Sequence, residues 1–60
     1  MDVSRAQEIL SSEQKINVEL NGMAIWIDSV NLKKKTAKIH AEENPAHTRT
    51  VTVDDLQEVH

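Results

Sequence analysis

Asn21-Gly22 sits between two alternating runs, Ile16-Asn17-Val18-Glu19-Leu20 and Met23-Ala24-Ile25-Trp26-Ile27, and this pair constrains the chain more than any other feature. A two-residue type I′ turn needs positive φ at both centres, which Asn and Gly tolerate best, so the segment predicts a β-hairpin. The register follows from the turn. Leu20 faces Met23, Val18 faces Ile25 and Ile16 faces Ile27, and all six lie on one side of the ribbon because strand side chains alternate with period two. Trp26 then points to the opposite side, with Ala24 and, further on, Val30.

The rest of the chain reads as partners for that ribbon. Val3, Ala6, Ile9 and Leu10 recur at helical spacing, with Asp2 or Ser4 as cap and Ser4 to Gln7 at capping-box distance. Such a helix is too short to persist alone and must dock on something apolar. After the hairpin's second strand, Asn31 to Lys35 reads as a polar turn. Thr36-Ala37-Lys38-Ile39-His40 alternates again, with Ala37 and Ile39 on one face. A loop follows through Glu42-Glu43-Asn44-Pro45, where Pro45 lacks the donor that a central strand needs. Arg49 to Val53 is a fourth strand with Val51 and Val53 inward, and Asp54 caps a final helical turn carrying Leu56 and Val59. The fold expected is mostly β within the α+β class: a short N-terminal helix, a four-stranded antiparallel meander curled toward a small partial barrel, and a C-terminal helical turn. Residues 1–60 form a single small domain.

Composition bounds what such a domain can do. A chain of 60 residues buries only about 60% of its unfolded surface. It has no cysteine, so neither a disulfide nor a thiolate metal site supports it. The longest apolar run is Met23 to Ile27, too short for a signal peptide or a membrane span, which points to an intracellular protein. One Trp and no Phe or Tyr leave an aliphatic core. Seven basic against ten acidic residues give a net charge of −3, a sign that opposes general nucleic-acid binding, where affinity rests on neutralising phosphates.

Few residues suggest chemistry. His40, Glu42, Glu43 and His47 could offer metal ligands, but their spacing matches no recognised motif and a solvated acidic loop explains them better. No nucleophile elbow is present. The single glycine belongs to the turn, which leaves none for a phosphate-cradling loop, so neither enzyme activity, a cofactor nor a small-molecule substrate is expected. Lys33, Lys34 and Lys35, with Lys38 nearby, form a local basic patch. It is suited to solubility and edge protection and, at most, to a weak phosphate contact with nucleic acid. Trp26 has two readings. Either the curled sheet and the terminal turn cover it, or it belongs to a contact with a second copy. With no disulfide, no metal and one large aromatic, oligomerisation is the remaining source of stability. A twofold homodimer burying Trp26 or pairing edge strands is therefore expected.

The order Arg5-Ala6, Glu8-Ile9, Ile16, Val18, Asn21-Gly22, Trp26-Ile27, Val30, Ala37, Pro45, Val51, Val53 and Leu56 resembles the H-type small acid-soluble spore proteins, over nearly the whole length. Departures are Leu20, where an aromatic would be expected before Asn-Gly, and the cluster Lys33 to Lys35. The family has no defined catalytic or binding set for these to disturb. The resemblance implies a non-enzymatic protein made in the forespore compartment and resident in the spore core. It implies no molecular mechanism. The α/β-type spore proteins coat DNA but are a different sequence family, and a shared class name is no warrant for shared activity.

Overall fold

The computed structural model describes residues 1–59. Helix α1 (Val3–Ser11) is followed by strands β1 (Val18–Leu20), β2 (Met23–Asn31), β3 (Thr36–Ala41) and β4 (Thr48–Thr52). A 3-10 turn (Val53–Asp55) then leads into β5 (Leu56–Glu58). All strands pair antiparallel in one sheet of order β4-β3-β2-β1-β5.

The hairpin forms as its turn residues dictate. Asn21 and Gly22 take φ of 52° and 82°, and the ladder pairs Leu20 with Met23 and Val18 with Ile25. The pairing stops there. Ile16 precedes β1, so its expected match with Ile27 is not made, and Met23 at the hairpin tip is 44% exposed.

Beyond Ile27 the alternation is broken by a bulge. Ile27 pairs with Ile39, but Ser29 pairs with Lys38 and Val30 with Ala37, so Asp28 is the extra residue. One extra residue reverses strand parity. Val30 therefore packs against the core with Ile25 and Ile27, and does not share a face with Trp26 as strict alternation predicts.

Five strands are present, not four. The expected C-terminal helical turn is confined to Val53–Asp55, and Leu56 opens a strand on the far side of β1. The physical reason is that β1 would otherwise be a bare edge, and three extended residues satisfy its backbone. Asp54 lies inside the turn. The capping position is Thr52, whose hydroxyl donates to Asp55 Oδ2 at 3.0 Å. At the other end Asp2 holds the N-cap position of α1 without a side-chain capping bond, and Ser4 lies within the helix, so the capping box is not made.

The connection from β4 to β5 forces the sheet to bend. Thr52 lies beside the Asn31 end of β2 and Leu56 beside its Met23 end, on opposite edges of the sheet. On a flat sheet they would be roughly 30 Å apart, from strand spacing and rise. Four residues of chain span at most about 14 Å. The sheet must fold over, and the bulge in β2 is where a strand bends most readily. No ladder joins β4 to β5, however, so the sheet is not closed into a barrel.

The concave side of this bend holds the core: Ala6, Val18, Leu20, Ile25, Ala37, Ile39, Val53 and Leu56, with Met1, Val3, Ile9, Ile27, Val30 and Val51 packed around it. Helix α1 lies against β2 and the 3-10 turn, and Ala6 is fully buried there. The chain ends meet. The Met1 ammonium donates to the Leu56 carbonyl at 3.2 Å, and Arg5 grips Glu58 through Nε at 3.1 Å and Nη2 at 2.6 Å. Glu58 raises the Arg5 pKa by this hydrogen bonding and by its charge.

Candidate functional site

Because the core takes one side of β2, β3 and β4, the other side presents polar residues in cross-strand rows. Trp26, His40 and Thr48 form one row, Ser29, Lys38 and Thr50 a second, and Asn31, Thr36 and Thr52 a third. Two regions of this outer face differ in chemistry.

The first is built on Trp26. The residue is 39% exposed, and Lys15, from the segment between α1 and β1, holds its ammonium 4.8 Å from the ring centroid. Lys15 also donates to Glu42 at 2.9 Å. Trp26 is thus partly covered by a cation held in place by a carboxylate, a contact that sequence patterning could not reveal because the partners are far apart along the chain. A small groove of about 120 Å³ runs beside the ring, floored by Ile9, Ile16, Val18 and Ile25. Next in the row, His40 Nδ1 lies 2.7 and 2.9 Å from the two carboxylate oxygens of Asp28. The bulge thus aims Asp28 across the strand at the imidazole. His40, Glu42, Glu43 and His47 do not converge. His40 is engaged by Asp28 and Glu42 by Lys15, and no group of three or more potential ligands exists among the described residues.

The second region lies at the β2–β3 turn. Asn31 Oδ1 accepts from the backbone N–H groups of both Lys33 and Lys34 at 3.0 Å, which fixes the turn. Lys35 completes it with a φ of 55°. Below the turn is an open cleft of about 540 Å³. The basic patch expected at Lys33, Lys34 and Lys35 is divided by this geometry. Lys33 and Lys34 line the cleft together with Lys38, while Lys35 does not. Ser29, Asn31, Thr36 and Thr50 add hydroxyl and amide groups, and Leu32 is 57% exposed at the rim.

The ion pairs sort the cations sharply. Arg5 is bound to Glu58 and Glu8, and Lys15 to Glu42. Among the described residues the other five basic side chains are in no ion pair: Lys33, Lys34, Lys35 and Lys38 lie at the β2–β3 turn and on β3, while Arg49 is on β4, in register with Ile39 and so on the other face. A chain of net charge −3 therefore carries one concentrated positive region. Such an arrangement can attract and hydrogen-bond oxyanions.

Comparison with known proteins gives a consistent result over nearly the full length. The model of the Small acid-soluble spore protein H family matches residues 1–58. The chain is 47% identical over 58 residues to small, acid-soluble spore protein H 2 of Geobacillus thermodenitrificans, covering 97% of each chain. It is likewise 47% identical over 58 residues to protein H 1 of Geobacillus kaustophilus, again covering 97% of each. Small, acid-soluble spore protein H of Alkaliphilus metalliredigens is 43% identical over 58 residues, covering 97% of this chain and 98% of that one. No solved structure matches.

Proposed function

Since the chain belongs to the small acid-soluble spore protein H family, a family of non-enzymatic spore proteins, we propose that it resides in the spore core and works there by association. The observation that carries this reading is the family match across residues 1–58. Among the described residues no helix is long and apolar enough to cross a membrane. The test is fractionation of purified spores. After chemical removal of the coat, the protein should remain with the core and be released by acid extraction of broken spores. Recovery with the coat fraction would overturn the core assignment.

The associating partner is a second copy. Of the two surfaces expected to serve, Trp26 and an edge strand, the edge has the stronger support. Trp26 already carries Lys15, whereas β4 is an edge strand of Thr-Arg-Thr-Val-Thr with no proline, no bulge and no lysine to guard it. A twofold axis at Thr50 sets Arg49 opposite the partner's Val51, so the strand's one charge does not face itself. Sedimentation across a concentration series should show a monomer–dimer equilibrium. Thr50→Pro, which removes a ladder donor, should leave only monomer. A parent chain that stays monomeric at high micromolar concentration would exclude the dimer.

A further inference from the structure

We infer that the cleft beneath the β2–β3 turn binds the phosphates of a single-stranded nucleic acid, and that Trp26, on the same face, receives a base. This reading goes beyond spore-core residence; Thr50 belongs both to the cleft wall and to the proposed dimer axis, so the titration is made at low micromolar concentration, where the chain is monomeric.

Three observations carry it. The first is the segregation of charge. Every basic side chain near α1 is neutralised by a carboxylate, while Lys33, Lys34 and Lys38 converge on one cleft and are in no ion pair among the described residues. The second is the character of the cleft wall. Ser29, Asn31, Thr36 and Thr50 supply short polar groups between the ammonium groups, the mixture that phosphate contacts use. The third is the position of Trp26. It lies three residues before Ser29 on β2, but the bulge takes up one of them, so its row, shared with His40, is two residues of β3 from that of Lys38, about 7 Å along the sheet. A backbone seated in the cleft therefore leads toward Trp26, which is 39% exposed. Trp26 carries the Lys15 ammonium at 4.8 Å from its ring, so a stacking base must share the ring with that half-exposed side chain or displace it. Stacking on a ring needs an unpaired base, and this selects a single strand over a duplex.

The carboxylates on this side limit the affinity without cancelling it. Asp28 is bound to His40 and Glu42 to Lys15, while Asp54 and Asp55 flank the turn on the Lys35 side, where the Val53 N–H donates to the Lys35 carbonyl at 3.0 Å. Lys35 thus lies between the cleft and an acidic turn, and contributes least.

The experiment is a titration of the full chain with an oligodeoxythymidine 12-mer, followed by the fluorescence of the sole Trp, at salt from 20 to 200 mM. Three lysine–phosphate contacts predict a slope near −2 in log K against log salt, about a hundredfold loss over that range. Binding should quench Trp26. Lys33→Gln, Lys34→Gln and Lys38→Gln should each weaken binding roughly five- to tenfold at 50 mM salt and lower the slope by about 0.7, with unchanged melting temperatures. Lys35→Gln carries the same charge change outside the cleft and should have little effect. Equal losses from Lys35→Gln and Lys34→Gln would reduce the effect to net charge and overturn the site. So would an absence of binding at 20 mM salt. Tripolyphosphate binding as tightly as the 12-mer would overturn the assignment to a strand.

Discussion

Gly22→Val is expected to lower stability by about 2 kcal/mol, a fall of roughly 8–16 °C in melting temperature for a domain of this size. The cause is conformational alone. A Cβ at Gly22 would meet no atom within 4 Å, so nothing clashes, but its φ of +82° is one that β-branched residues avoid. Gly22→Asn should lose much less, since Asn tolerates the left-handed region, and Asn21 beside it already sits at +52°. A valine variant that melts with the parent would mean that the turn does not hold the β1–β2 register.

Ile39→Ala should cost about 2–5 kcal/mol, the range for deleting most of a buried aliphatic side chain and leaving a cavity. Ile39 is the largest side chain with under 2% exposure, and it is paired across strands with Ile27 on β2 and Arg49 on β4. A domain of 60 residues holds about 3–9 kcal/mol in total, so the variant should be partly unfolded at room temperature. Ile39→Val should lose only about 0.5–1.5 kcal/mol. Urea midpoints for both, at an unchanged slope, check this, and a loss below about 1 kcal/mol for alanine would show that β3 does not centre the core.

What could be read from the residues is what short-range physics controls. Asn21-Gly22 sets a turn, the turn sets the register, and alternation places Val18, Leu20, Ile25, Ala37 and Ile39 inside. The errors arise where a long-range contact decides. Leu56, Gln57 and Glu58 are too few to show periodicity, and become a strand only because β1 needs a partner. The bulge at Asp28 left a trace, since the buried apolar positions run Ile25, Ile27 and then Val30, a step of three where a regular strand allows two. The candidate site was half visible. The run Lys33 to Lys35 is plain in the sequence, but the exchange of Lys35 for Lys38 depends on how the turn lies over β3. The cover of Lys15 on Trp26 depends on the path of the segment between α1 and β1.

The meeting of the two chain ends has a consequence for biosynthesis. β1 is completed by β5, α1 leans on the 3-10 turn, and the Met1 and Arg5 contacts reach 55 and 53 residues along the chain. While residues 56–58 are still inside the ribosome, β1 has a bare edge and the helix lacks part of its seat. The nascent chain can close the Asn21-Gly22 hairpin early, because that loop is local, but final consolidation waits for the last strand. Folding should therefore be close to all-or-none and complete only once β5 has emerged. A cut just before β5 would release β1, Met1 and Arg5 from their partners at once.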